Sequence, residues 1–396
     1  MSTQASNQIE ELLTRGVEDV IIREELEKKL KSGEKLRVKF GIDPTGDKIH
    51  IGHAVVYWKL RAFQEMGHKV IILIGDYTAL VGDASDKQAE RQMLSVDDVK
   101  HNMKNYLGQI GKIVDLDKAE VRYNSEWLKQ LSFVDVLELA SEFKVAQMLE
   151  RDNFRQRYES NQPIGLQEFL YPVMQGYDSV ALKADVELGG TEQLFNLMAG
   201  RTLQKRNGQA PQSVMTTELL VGTNGLKMSK SQPNCIFVED EPADMYGKVM
   251  SLNDELIIHY LRLATNTPEG VIEQIEQTLA DGANPRDPKA FLARTIVARY
   301  YDEKIAEAAE ASWNDQFRDG NTPEDIGVIK LPSAKEVGIV ELISDNFDLS
   351  KSDVRRLLEQ RAIKLNGEVV EGAEFTPADD DIIQVGKRRY KRISLG

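Results

Sequence analysis

The chain has 396 residues, 41% hydrophobic and 29% charged, an ordinary globular composition with length for two or three domains. No apolar run approaches a membrane span, the first residues lack a basic-then-apolar export pattern, and the single cysteine, Cys235, excludes an internal disulfide and a cysteine-built zinc site. The formal charge of -14 argues against wholesale coating of nucleic acid, while local RNA contacts depend on where Lys and Arg cluster. These features fit a soluble protein of a reducing compartment, the cytoplasm, with no membrane partner and no resident metal.

In chain order, strict apolar alternation from Leu36 to Ile42 predicts a strand. A turn-rich connection, GIDPTGDKIHIGH, leads into a helix that carries Val55, Val56, Leu60, Phe63 and Met66 on one face and ends at Gly67. Val70–Ile74 is a continuous apolar run of the kind buried in a parallel sheet. Strand, helix and strand make a βαβ unit, whose ligands bind at the carboxyl ends of the strands. GIDPT at 41–45 and GDYTALVGD at 75–83 occupy such ends. Past residue 240 the pattern turns helical. A Gly-, Pro- and Asp-containing stretch at 321–335 reads as a linker. The last segment forms a small unit: Ser350 caps a helix, IKLNGEVV is strand-like, and GKRRYKR at 386–392 is the densest basic run.

Two motifs carry chemistry. His50 and His53, in HIGH, follow a strand and open a helix, where imidazoles and exposed N–H groups can meet phosphate oxygens. Gly52 between them lets a nucleotide approach the backbone. Two loop histidines satisfying local polar groups would read the same way; an HxxH zinc site lacks a third ligand. Lys227 and Lys230, in KMSKS after GTNG, can close over a triphosphate and neutralise charge on a departing pyrophosphate, although a KxxK pair alone is more often an exposed basic loop. Further along, Tyr171, Gln175 and Asp178 share one face if their segment is helical, and could hold an ammonium group and accept a phenolic hydrogen bond.

HIGH followed by KMSKS resembles the paired signature of class I aminoacyl-tRNA synthetases, and YPVMQGYDSVALKADVELGGTEQ looks like the substrate helix of the tyrosyl enzymes. The resemblance covers nearly the whole chain. It implies an α/β fold: a Rossmann-like parallel-sheet catalytic domain at 1–235, a helical anticodon-binding domain at 236–320, the linker, and a small α+β RNA-binding domain of the S-four type at 336–396. It implies a tyrosine–tRNA ligase that uses ATP with Mg²⁺ as a substrate complex, binds L-tyrosine and tRNA(Tyr), and forms a homodimer. His50, His53, Lys227 and Lys230 would be catalytic. Asp43, Gly52, Lys230 and Ser231 would meet ATP. Thr78, Asp83, Asn124, Tyr171, Gln175, Asp178 and Gln193 would surround tyrosine. Lys87, Arg91, Lys351, Arg355, Arg356, Lys387, Arg388 and Arg389 would meet tRNA, with Tyr390 placed to stack on a base.

Three positions depart from the best-known bacterial branch. Lys39 stands where a tyrosine meets the substrate hydroxyl, and Glu192 and Ala84 stand where Asp and Pro are common. The KFG form around Lys39, the literal KMSKS and the length look more like the second bacterial branch. Tryptophanyl-tRNA synthetase, a small-molecule nucleotidyltransferase and an inactive RNA-binding relative are the competing readings.

Overall fold

The computed structural model describes residues 3–44, 48–83, 94–228, 234–318, 327–331, 337–347, 349–370, 372, 374–386 and 389–395. They divide into two units, Met1–Glu310 and Ala311–Gly396, each taken by itself below.

In the first unit, six strands form one sheet: β1 Val17–Ile21, β2 Arg37–Ile42, β3 Lys69–Ile74, β4 Glu120–Tyr123, β5 Val186–Gly190 and β6 Ser213–Thr217. Their order is β1-β6-β5-β2-β3-β4, with β1 antiparallel to β6 and the remaining pairs parallel. The apolar run at 70–74 is buried throughout, as its composition predicts. The alternating 36–42 segment behaves differently from a half-solvated strand. It becomes β2, between β5 and β3, where Val38, Lys39 and Phe40 are all buried. An interior strand of a parallel sheet covered on both faces offers no solvated side, so its polar residues must find partners inside. Lys39 does so in register with Glu187 of β5.

Helix α1, Ile51–Glu65, connects β2 to β3. Val55, Val56, Leu60 and Phe63 are its buried face, and Gly67, at φ 89°, turns the chain out of it in a conformation that side chains resist. Two further helices, α2 Leu166–Leu182 and α3 Leu194–Arg206, flank β5 in sequence. They approach so closely that a Cβ on Gly176 would lie 3.0 Å from the carbonyl carbon and oxygen of Ala199. That contact holds the face bearing Tyr171, Gln175 and Asp178 against the strand ends.

The chain then forms α4 Pro242–Met250, α5 Ile257–Ala264, α6 Glu269–Ala280, α7 Arg286–Tyr300 and α8 Glu303–Arg318. The sequence reading makes 236–320 a domain of its own, whereas residues up to Glu310 belong to the same unit as the sheet. Side chains distant in sequence fasten them there. Arg15 donates to the carbonyls of Leu261, Arg262 and Thr265, and the Trp58 indole donates to the Tyr300 hydroxyl at 3.2 Å.

The second unit contains β7 Gly327–Leu331, β8 Val337–Gly338, β9 Ile363–Leu365, β10 Glu368–Val369, β11 Glu374–Phe375, β12 Ile382–Val385 and β13 Arg389–Leu395, with helices α9 Ile339–Asn346 and α10 Lys351–Glu359. Five strands pair in the order β10-β9-β12-β13-β7, and β11 pairs with β8. Ser350 caps α10 by accepting from the Asp353 N–H at 3.2 Å, as expected. Two readings are corrected. The linker assigned to 321–335 contains β7, which lies parallel to β13 with Ile329 buried. IKLNGEVV is a hairpin, because Asn366 (φ 50°) and Gly367 (φ 87°) make the left-handed turn that joins β9 to β10.

Candidate active site

A cavity of about 710 Å³ opens where β2, β3, β5 and β6 end. It is lined by His50, Gly52, His53, Asp43, Thr78, Asp83, Asn124, Tyr171, Gln175, Asp178, Gln193 and Lys227, residues that come from segments far apart in the chain. Lys230 and Ser231 of KMSKS and the expected tRNA contacts Lys87, Arg91, Lys387 and Arg388 lie outside the described residues.

His50 caps α1, its Nδ1 accepting from the His53 N–H at 3.3 Å, and the two imidazoles stack at 3.7 Å with their planes 20° apart. A Cβ on Gly52 would come within 3.3 Å of the Leu220 carbonyl oxygen, so glycine there serves protein packing. The start of α1 is tied to the segment that leaves the KMSKS loop: the Ile51 N–H donates to the Ile236 carbonyl at 2.9 Å and the Val238 N–H to the Ile49 carbonyl at 3.0 Å. At the loop's entry Val221 bridges Lys227, the Gly222 N–H donates to the Leu226 carbonyl at 2.6 Å, and the Asn234 amide donates to the Lys227 carbonyl at 3.2 Å. Lys227 is exposed at the cavity rim.

A hydrogen-bonded chain runs along the opposite wall. Tyr171 donates its hydroxyl proton to Asp43 at 2.9 Å, and Thr78 donates to the other oxygen of Asp43 at 2.8 Å. Asn124 donates its amide both to Thr78 at 2.9 Å and to Asp178 at 3.3 Å. Trp127 closes the series, its indole N–H donating to Asp178 at 2.7 Å. Asp43, assigned to the ATP side by resemblance, is thus bonded here to two residues of the expected tyrosine set. A Cβ on Gly75 would sit 2.0 Å from the Asp43 carboxylate, so glycine is what lets this chain form. Asp83 accepts from Asn196 at 3.3 Å and faces Arg151 at 4.0 Å.

Burial pushes the Asp178 carboxyl up to about 7, against the opposing pull of the Lys39 charge and the bonds from Trp127 and Asn124, with Glu187 adding repulsion. Burial, followed by the carboxylates of Asp43 and Asp83, holds the Tyr171 phenol well above its usual range. Trp127 carries no sequence signal of its own, because it lies past the end of β4, whose Glu-Val-Arg-Tyr alternation runs for only four residues. The carboxyl end of that strand is nonetheless where Asn124 and Trp127 fall.

On the second unit, Lys351 donates to Glu341 at 3.2 Å and Arg356 to Asp353 at 2.8 Å, both at the surface. Arg355 is exposed on the same helix, and Arg389 is exposed at the start of β13.

A family profile described as tRNA synthetases class I (W and Y) matches residues 31–318. The chain is 45% identical over 388 residues to a tyrosine–tRNA ligase of Shewanella oneidensis, covering 97% of each chain, and 45% identical over 390 residues to one of Thermotoga maritima, again covering 97% of each. Among solved structures, a C-terminally truncated mitochondrial tyrosyl-tRNA synthetase of Aspergillus nidulans matches with TM-score 0.66 at 23% identity, covering 78% of this chain and 94% of that one. A tyrosyl-tRNA synthetase of Archaeoglobus fulgidus complexed with L-tyrosine matches with TM-score 0.61 at 23% identity, covering 77% and 99%. At that identity the structural likeness speaks for the fold alone.

The raised Asp178 carboxyl gives stability a pH dependence. The native chain holds this proton more tightly than the unfolded chain, where the group returns to near 3.8. Its contribution therefore favours folding most below about pH 4 and is lost as pH rises through about 7. Asp178→Asn removes that loss. In urea titrations of unliganded protein, the variant should gain roughly 2–3 kcal/mol on wild type between pH 5 and pH 8, about two units of titration at 1.36 kcal/mol each. An equal difference at both pH values would show that Asp178 is not held protonated by its surroundings.

Proposed function

The chain belongs to the class I tRNA synthetase family of the tryptophan and tyrosine enzymes, and on that premise we propose that it is a tyrosine–tRNA ligase. The carboxylate of L-tyrosine attacks the α-phosphorus of ATP, giving tyrosyl-adenylate and pyrophosphate. The terminal ribose hydroxyl of tRNA(Tyr) then takes the tyrosyl group. The observation that carries the reading is that His50, His53, Lys227 and the buried Asp178 open onto one cavity.

Asp178 accepts the phenolic hydroxyl of tyrosine, in company with Asn124 and Trp127. An amino acid lacking that hydroxyl leaves a buried acceptor unpaired, which is how phenylalanine is rejected. Tyr171, Gln175 and Asp83 hold the ammonium group, Thr78 supports them through Asp43, and Gln193 places the carboxylate. His50, His53 and the N-terminus of α1 bind phosphate and ribose as the five-coordinate phosphorus forms. Gly52 and Asp43 face the nucleotide. Lys227, Lys230 and Ser231 follow the pyrophosphate, with Mg²⁺ travelling on the triphosphate as part of the substrate. Positioning and charge stabilisation suffice for this chemistry, and no covalent enzyme intermediate is required.

Residues 236–320 form the anticodon-binding part, and the second unit, with 336–396 extended by β7, is the S-four-type RNA-binding part. Lys351, Arg355, Arg356, Arg389 and the neighbouring Lys387 and Arg388 meet the tRNA backbone there, and Lys87 and Arg91 meet the acceptor stem. The cytoplasm, where tRNA is charged for translation, is the place of action. No helix among the described residues is long and apolar enough to cross a membrane. A homodimer is supported by the large apolar side chains exposed between 133 and 166, namely Phe133, Val134, Leu137, Val145, Tyr158 and Leu166.

Pyrophosphate exchange with each of the twenty amino acids tests the substrate: tyrosine alone should support rapid exchange. His53→Ala and Lys230→Ala should each slow it by about 10²-fold or more, the usual loss for a transition-state donor; wild-type rates in both would contradict their roles. A chain ending at residue 320 should keep exchange while its tRNA charging weakens and becomes less salt-sensitive. Ending it at 336 instead would leave β7 without β13. Equal loss of exchange and charging would refute an RNA-specific tail. Sedimentation should show a dimer that Leu137→Asp dissociates; a monomeric wild type at micromolar concentration would overturn that assignment.

A further inference from the structure

At the floor of the cavity, with Lys39 among its lining residues, lies a charged pair to which the reading above gives no role. Lys39 and Glu187 are 0% and 1% exposed and meet at 2.9 Å, side by side on β2 and β5. The ammonium group of Lys39 donates to Glu187, to the Ser179 hydroxyl at 2.8 Å and to the main-chain carbonyl of Gln175 at 3.3 Å, using all three of its protons. Glu187 is equally saturated. One oxygen accepts from Lys39 and from the Gln175 amide at 3.2 Å; the other accepts from Ser179 at 2.9 Å and from Gln212.

Two consequences follow for α2. Lys39 grips the helix at residues 175 and 179, on either side of Asp178. A carboxylate is an acceptor only, so Glu187 can take nothing from Gln175 except its NH₂ group. The amide of Gln175 is thereby oriented with its nitrogen toward the sheet, leaving its oxygen as the atom available to an ammonium group in the cavity. One buried pair thus bears on both ends of the pocket, on Gln175 by direct hydrogen bonds and on Asp178 through the helix it grips and through its charges.

We propose that Lys39 and Glu187 are positioning residues that determine specificity for tyrosine, holding Gln175 and Asp178 in the orientations that receive the ammonium group and the phenolic hydroxyl. The inference rests on the tyrosine reading of the cavity. It assigns Lys39 the place left open by the absent tyrosine: Lys39 acts on the hydroxyl end through Asp178, and the direct donors to that carboxylate are Asn124 and Trp127. Lys39 and Glu187 also act on Asp178 with opposite signs, the cation favouring its ionised form and the carboxylate opposing it. The other ionisable groups around this wall are Tyr171 on α2 itself, Asp43 after β2, and Asp83 with Arg151 beside it.

The test is tyrosine-dependent pyrophosphate exchange with the full chain between about pH 6 and 9, comparing wild type, Lys39→Met, Glu187→Gln and the double variant, with KM for tyrosine and for ATP read separately. Lys39→Met should move the inflection in the tyrosine KM profile to higher pH, and Glu187→Gln to lower pH, each by about one unit or more for a charge at this range. Both should lower the preference for tyrosine over phenylalanine while leaving KM for ATP in place. If Lys39→Met fails to fold because Glu187 is left unpaired, the double variant carries no buried lone charge, and its inflection should lie above that of Glu187→Gln alone. Shifts of the same sign, or lowered melting temperatures with an unaltered tyrosine profile, would reduce the pair to scaffold. Absence of tyrosine exchange in wild type would instead overturn the function itself, so the two failures are distinguishable.

Discussion

Two main-chain hydrogen bonds, from Ile51 to Ile236 and from Val238 to Ile49, decide where this cavity lies. They join the start of α1 to the segment leaving the KMSKS loop, so two stretches nearly half the chain apart share one wall. Main-chain bonds are directional and leave little freedom of register. The stem of the loop is accordingly fixed beside the histidines, with Tyr260 adding a bond from its hydroxyl to the Val221 carbonyl at 2.7 Å. Lys227 sits just beyond that stem, exposed at the rim. A fixed main chain at Lys227 suits chemistry in which charge develops on a leaving group, because the cation's point of attachment is set before any ligand arrives.

Most of the catalytic unit was legible in the sequence, for identifiable reasons. The apolar run at 70–74 could only be an interior strand, and the spacing of Tyr171, Gln175 and Asp178 placed them on one helical face whatever that helix packed against. The illegible parts are those decided by tertiary neighbours. Alternation in 36–42 marks a strand, but nothing local to Lys39 reveals that Glu187 lies beside it in register. Trp127 follows a four-residue strand too short for a periodic signal, yet it makes the shortest bond to Asp178. The helical pattern after 240 is local and visible, whereas the bonds that fasten those helices reach back to Arg15 and Trp58, far off in sequence. In the second unit, glycine and proline around 327–331 mask a strand whose partner lies sixty residues on, and the Asn366-Gly367 turn sits inside a run of strand-forming residues.

The way the buried carboxylates are satisfied separates support from binding. An ionised carboxylate has about four sites for hydrogen bonds. Glu187 has all four filled by protein groups, so no substrate atom can displace one without leaving a buried donor unmet. Among the described residues, Asp178 accepts from Asn124 and Trp127 alone, and it lines the cavity. Its remaining capacity faces the place where a hydroxyl donor can arrive. The same incompleteness explains why burial raises its carboxyl so far: desolvation is opposed by two hydrogen bonds and a neighbouring cation, which together do not restore what water would give. A hydroxyl that completes the set relieves part of that cost, and the relief is available only to a ligand that carries one. On the reading proposed above, selectivity at this end of the pocket is a property of the unliganded protein, built in as an acceptor held out of water with two donors among the described residues.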